Sequence, residues 1–537
     1  MTSNESASSS PSKSGKPSYW RSLSELRGSE EFEQYLDREF PVAASEFPEG
    51  VSRRRWMQLM GASLAFAGVA GCRYPEETIE PFVIRPEGRI PGESYLRATN
   101  FELAGRVYNL FISCVDGRPL KIEPNTAHPS NVGTDAYSQA SILGLYDPDR
   151  ARDDEGFLLR NVKEENRSYA SDWTEFQEYL SGVLEESGDG SRMALLFEST
   201  RSPSVARMLS AVKTRFPGVK LCRYDAVTSD TMRQATTNIL GTPSRQALDL
   251  ANAEIVVTLQ ADILGNDTGM LNNAAGYSKR RDPLAKEGMN RLYVVEGGYT
   301  STGASADSRL ALAPSQMPAF IAELGRRVES LRGQEPHQHD KETDSYDELS
   351  AGQRLERFID VLAHDIAEKA DKTVIVVGEQ LGAEAIEAGI RMNEKLGSLG
   401  SLQSFYPLPD GEINETVSLG KLAGEMNAGN IDSLLILDGN PVVTAPGEID
   451  LASAIGKVKN TIYAGLYNDE TGSVCKWSIP LTHPLEGWGD AVNDNGFYGI
   501  CQPQILPLLG GKDIIEVLAT VAGESSTDPQ SILRRTA

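Results

Sequence analysis

The chain is poor in residues that hold redox metals. Its 537 residues include five cysteines and five histidines. Cys72, Cys114, Cys222, Cys475 and Cys501 are scattered, and no C-x-x-C occurs. A [4Fe–4S] cluster needs four ligands in close reach, normally thiolates, so this spacing excludes one in this chain. His337-x-His339 could grip a metal, but it stands in a polar stretch with no third ligand in view. There is no G-x-G-x-x-G and no Walker loop, which removes the usual phosphate cradles. There is no G-x-S-x-G, so a hydrolase triad has no starting point. Positive charge is scarce as well: 52 Lys and Arg face 76 Asp and Glu, a net charge of −24. Such a surface argues against nucleic-acid binding. Long apolar runs are missing too. Apart from Leu59 to Gly71, none approaches the ~20 residues of a spanning helix.

What is present begins with "SRRRWMQLMGASLAFAGVAGC", Ser52 to Cys72. Arg53, Arg54 and Arg55 form a positive n-region, and Leu59 to Gly71 is a short apolar h-region rich in small residues. The stretch resembles a twin-arginine (Tat) export signal, with Arg53 and Arg54 as its arginine pair. Val69-Ala70-Gly71-Cys72 resembles a lipobox, which makes Cys72 the candidate for lipidation. Before it, Trp20, Leu23, Leu26, Phe32 and Leu36 stand at broadly helical spacing and Pro41 ends the pattern. The signal therefore ends an extended leader.

The organisation reads as six segments: an extended leader (1–50), the Tat signal with its lipobox-like end (51–72), a small N-terminal domain (73–150), a first α/β domain (151–332), an acidic linker (333–350) and a second α/β domain (351–537). In the small domain, "RVYNLFISCVDGRPLKIEP" predicts two strands joined at Asp116-Gly117. Apolar runs in "RMALLFES", "AEIVVTLQAD", "NRLYVVEGG", "KTVIVVGEQ", "DSLLILDGNP" and "NTIYAGLYND" predict buried parallel strands covered by helices on both faces. "EIVVTLQADILGND" and "SLLILDGNPVVTAP" look like weak copies, each a strand ending in a polar turn. Open α/β sheets bind ligands at such ends.

Several stretches resemble a known family. "YWRSL", the arginine signal and "YPEETIEPFVIRPEGRIPGESYLRAT" resemble the extended leader of molybdopterin oxidoreductase-like proteins in respiratory complexes. Within that family they resemble the B subunit of bacterial alternative complex III. "DGNP" resembles the family's G-x-N-P turn, with Asn440 and Pro441. "CKWSIPLTHPLEGWGD" resembles its A-D-x-x-L-P…E-x-x-G stretch, with Glu486 and Gly489. The likeness assigns these four a structural role and implies an α/β large-subunit fold: two Rossmann-like halves plus a small β-containing domain.

The departures from the family decide the expected function. Active relatives open with four cluster-binding cysteines. The matching region here has Cys114 alone, within an apolar strand. For a molybdenum ligand, only Ser138, Ser141 and Asp147 are of suitable type. At the strand ends, Asp262, Asp267, Asp438 and Glu379 would repel a pyrophosphate. Glu486 is expected to fix a loop by binding backbone N–H groups. The expectation is a chain with no catalytic, cofactor-binding or metal-binding residues. It would be a subunit of an alternative complex III-like quinol-oxidising complex, docking an iron–sulfur ferredoxin-like subunit or domain. A haem c subunit and a quinol-oxidising membrane subunit would complete that complex. The resemblance also places it at the periplasmic face of the inner membrane, as a membrane-associated lipoprotein. Two alternatives stand beside this one: an active molybdopterin-dependent oxidoreductase, and an exported lipoprotein binding module.

Overall fold

The computed structural model describes residues 90–537, apart from 91, 104, 131–132, 153–157, 163–166, 228–229, 268, 285–287, 333–348 and 414–415. The leader, Arg53, Arg54, Cys72, His337 and His339 lie outside the described residues.

The small domain is a three-stranded antiparallel sheet, β1 (Ser94–Leu103), β2 (Arg106–Val115) and β3 (Arg118–Pro124). Asp116 and Gly117 join β2 to β3 with φ of 49° and 88°. Two positive φ values in a two-residue loop are what a tight hairpin requires, and Asp-Gly supplies them with little strain. Alternate residues of β2, Tyr108, Leu110, Ile112 and Cys114, are buried. Cys114 is thus one of the small domain's core residues.

Two larger sheets follow. The first contains β4 (Leu158–Val162), β5 (Arg167–Ser171), β6 (Met193–Phe197), β7 (Lys220–Arg223), β14 (Ser433–Leu437), β15 (Asn460–Gly465) and β16 (Trp477–Pro480). Its order is β5-β4-β16-β15-β14-β6-β7. The strands from β16 to β7 are parallel, and β4 and β5 extend the edge antiparallel. The second sheet is wholly parallel, with β9 (Ile255–Leu259), β10 (Arg291–Glu296), β11 (Ser308–Ala311) and β12 (Thr373–Val377) in the order β11-β10-β9-β12. A separate antiparallel ribbon pairs β8 (Ser244–Leu248) with β13 (Gln403–Pro407).

Burial explains both large sheets. Every residue of β6, β9, β12, β14 and β15 is buried. Odd and even positions face different cores: Leu195, Leu435 and Ile462 pack with the helices Trp173–Glu186, Pro203–Arg215 and Ile514–Ala522. Leu196, Leu434 and Tyr463 pack with Leu419–Asn427 and Leu451–Ile455. Both faces being covered, the strands read as unbroken apolar runs.

Each of these sheets draws strands from both sides of residues 333–350. β12 pairs with β9 and β14 pairs with β6. The chain leaves the first sheet after β7, builds the second, and returns at β14. In each the winding direction reverses once, between β6 and β14 and between β9 and β12. A crevice at the carboxyl ends of the strands is expected at such a switch point. A short hairpin, β17 (Gly489–Val492) with β18 (Tyr498–Cys501), lies against β1.

Among the described residues, no helix is long and apolar enough to cross a membrane. The expectation of membrane association is corrected to that extent: these residues supply no spanning segment, and Cys72 lies outside them.

Candidate functional site at the strand ends

At the first switch point a cleft of about 210 Å³ opens between Phe197, Glu198, Tyr224, Asp438, Gly439 and Pro441. Its charged groups are acids. Glu198 is pushed up to about 7, first by burial of its carboxyl and then by Asp438 and Asp225. Gly439 has φ +69°, and a Cβ there would stand 2.6 Å from Glu198 Oε1. Asp438 itself has a φ of 59°. At the second switch point Gln260 has a φ of 55°. These matching left-handed exits give the two weakly similar sequences a shared geometry. There Gly378 lies so close that a Cβ would stand 1.9 Å from the Gln260 carbonyl oxygen. Glu379 follows, pushed up to about 7 by burial against the pull of Arg245.

Several of the donors near these ends are already used, although the helices Met270–Ser278, Ala383–Leu396 and Pro441–Thr444 begin without a side-chain cap. In an open α/β sheet, a phosphate is held by N–H groups at the start of the helix after the strand. After β6, the helix Pro203–Arg215 begins with Ser204 N–H donating to Asp490 Oδ1 at 3.2 Å, and Ser204 Oγ donating to Oδ2 at 2.6 Å. Ser199 donates its N–H and its hydroxyl to Asp225, at 2.8 and 2.5 Å. At the second sheet, Thr302 donates its N–H and hydroxyl to Asp262, at 2.9 and 2.7 Å. Glu296, 1% exposed, accepts from Thr300 Oγ1 and Arg309 Nε, each at 2.6 Å. Gly269 N–H donates to Asp267. At Ser199, Ser204 and Thr302 the chain's own carboxylates occupy the donors, and that negative charge would oppose a diphosphate there. The residues at those three positions do not fit a bound diphosphate. Nor do the cysteines fit a four-thiolate cluster: Cys114 and Cys501 are buried in one core, Cys222 and Cys475 in another. Among the described residues, no group of three or more His, Cys, Asp or Glu could hold a metal ion.

Ser138, Ser141 and Asp147 are engaged elsewhere. Ser138 completes a capping box with Asp135 at the start of the helix Ala136–Leu145. Ser141 Oγ donates to the Ser138 carbonyl. Asp147 accepts from Tyr467 OH at 2.9 Å and from Asp149 N–H. Asn440 bridges Thr471 and Glu470, Pro441 is buried as the first residue of a short helix, and Gly489 opens β17.

Glu486 is the centre of a buried anchor. It forms a bidentate pair with Arg150, at 3.1 and 2.6 Å, and both side chains are 1% exposed. It also accepts the backbone N–H groups of His483 and Leu508, at 2.8 and 2.9 Å. Burial opposes its ionisation, but Arg150 and these N–H groups outweigh it and hold the carboxyl below its ordinary range. Beside it, His483 Nδ1 accepts from Leu485 N–H and Nε2–H donates to the Ser141 carbonyl. Burial, with Arg150 nearby, pushes His483 down to about 4. The anchor ties residues 141–150 to the 483–508 loop. Arg150 carries no local sequence signal, because its partner lies far along the chain.

No family model matches the chain. It is similar to the molybdopterin-binding-like subunit of menaquinone reductase from Nitratidesulfovibrio vulgaris (strain Hildenborough), at 22% identity over 78% of this chain. The chain spans 63% of that relative's length. Among solved structures it is similar to acetylene hydratase from Pelobacter acetylenicus, at 14% identity with a TM-score of 0.54, covering 81% of this chain and 68% of that one. The fold is molybdopterin-oxidoreductase-like. On this frame, internal carboxylates close the strand ends at Ser199, Ser204 and Thr302, and the loop anchor at Glu486 is complete.

Proposed function

We propose that this chain is a cofactor-free subunit of a quinol-oxidising respiratory complex of the alternative complex III type, where its molybdopterin-oxidoreductase-like body docks an iron–sulfur partner. The observation that carries the reading is the occupation of strand-end donors by Asp225, Asp262 and Asp490. A body with these strand-end donors filled by its own side chains is suited to presenting surfaces to other subunits. The likeness to a subunit of a menaquinone reductase supports a quinone-linked setting. Electron transfer then belongs to the iron–sulfur and haem c partners and to a quinol-oxidising subunit. Arg53 and Arg54 would direct export to the periplasm.

The test is purification of the tagged full-length chain from its host, with elemental analysis and identification of bound proteins. The expected result is co-purification with an iron–sulfur protein and a haem protein, and no molybdenum. Stoichiometric molybdenum, with reductase activity in the isolated chain, would overturn the reading.

A further inference from the structure

A separate recess lies where the small sheet, the helix Met270–Ser278 and the β17–β18 hairpin meet. It measures about 420 Å³, including the part open to solvent, and Arg106, Asn109, Ser130, Asn272, Asn493 and Asp494 are among its lining residues. Ser130 and Asn493 are 6% and 4% exposed, yet Ser130 Oγ and Asn493 Nδ2 have no partner among the described residues. Leaving a buried polar group unmatched costs about 1–3 kcal/mol, so such groups point to something that completes them.

The chemistry of these atoms is directional. Asn493 Oδ1 accepts the N–H groups of Asn495 and Phe497, both at 3.0 Å. That pair of bonds fixes the amide's orientation and leaves Nδ2 as a pure donor. Arg201, bonded to Asp494 through Nη2 at 3.2 Å, also holds an unmatched donor at Nη1. On β1, Asn100 is the cross-strand partner of Asn109 and is 3% exposed, with its whole amide unmatched. Donors therefore predominate.

The charge balance points the same way. Arg106 is paired with Asp135 at 3.1 Å. Asp494 Oδ1 is shared by Arg201 and Arg245, at 3.2 and 3.0 Å, so two guanidiniums face one carboxylate oxygen. Asp410, also near Arg201, pairs with Arg233 at 2.9 Å. The remaining acids near these guanidiniums are Asp267, Glu102 and Glu379. Burial pushes all three toward the neutral form, against the pull of the arginines.

We propose that this recess binds a small carboxylate or other monovalent oxoanion. Asn493 Nδ2 and Ser130 Oγ donate to its oxygens, and the Arg201–Asp494–Arg245 cluster supplies the compensating charge. The site is independent of the docking role proposed above. It requires neither a dinucleotide nor a metal.

The test is calorimetric titration of the full chain with acetate and with nitrate, using chloride at equal ionic strength as the control. Saturable binding of at least one oxoanion, absent with chloride, is expected. Asn493→Asp keeps both acceptor bonds of the turn but replaces the donor with a second carboxylate oxygen. It should weaken binding about tenfold or more, since a hydrogen bond to a charged group is worth about 1.5–3 kcal/mol. Ser130→Ala removes a hydroxyl with no partner among the described residues. It should fold as the parent does and bind about threefold or more weakly. Two results would overturn the proposal: no response beyond that of chloride, meaning that water alone fills the recess, or affinity within about twofold of the parent in Ser130→Ala.

Discussion

Replacing Glu486 by Gln is the most searching perturbation of the frame, because it changes charge without changing shape. In the parent, Oε1 accepts from Arg150 Nη1 and Leu508 N–H, and Oε2 accepts from Arg150 Nη2 and His483 N–H. A glutamine keeps one such oxygen. Whichever way its amide turns, two donors then face an NH2 group. Arg150, 3% exposed with Nε already unmatched, is left as a buried charge without a counter-ion. Breaking one side of a buried pair typically costs about 3–5 kcal/mol, a large part of the ~5–15 kcal/mol that holds a domain folded. Urea unfolding should show a lower midpoint with an unchanged slope. Arg150→Met in the same chain removes the stranded charge, so the double variant should be more stable than Glu486→Gln alone, a coupling of about 2 kcal/mol or more. Stability of Glu486→Gln within about 0.5 kcal/mol of the parent would refute the reasoning, as would a double variant no better than the single one.

Three other outcomes follow from neighbouring residues. His483 titrates near 4 when folded against about 6.5 when unfolded, so its contribution is present above pH 6.5 and is lost as pH falls toward 4. This amounts to about 1.5 kcal/mol between pH 6.5 and 5, and urea midpoints should show that slope flatten in His483→Gln. Gly439→Ala places a side chain at φ +69° and against Glu198; the left-handed backbone alone should cost about 1–2 kcal/mol, and a variant as stable as the parent would mean that the turn relaxes. Arg53→Lys with Arg54→Lys keeps the charge but removes the arginine pair; cell fractionation should find this variant in the cytoplasm, and normal export would exclude a twin-arginine signal.

The sequence spoke clearly where one physical rule dominates. The runs around Leu195, Val257, Ile375 and Leu435 are strands because both faces are buried, and Asp116-Gly117 turns because two adjacent positive φ values were needed. The acids at 262, 267, 379 and 438 do stand just beyond strands. Pairing order was not legible. Nothing local tells β14 to enter between β15 and β6, since any buried parallel strand could fill that place. The same limit hid Arg150, Arg201, Arg245 and Asp490. Each is an ordinary polar residue in its own segment, and its role comes from a partner that only the folded chain brings near.

Loss and replacement of a phosphate site are physically different. A site that had merely eroded would leave N–H groups to water, with its glycine-lined space open. Here the donors of Ser199, Ser204 and Thr302 are bonded to Asp225, Asp490 and Asp262. At Gly378 the backbone has closed on Gln260. A ligand that binds only the folded state stabilises it. On the proposed reading the frame must satisfy such groups internally, and at Ser199, Ser204 and Thr302 these carboxylates do so. They also resist reversal. Removing Asp490 would free the Ser204 N–H, but Asp225 would still hold the Ser199 N–H and hydroxyl. On the proposed reading, no single substitution at these three positions should create dinucleotide binding.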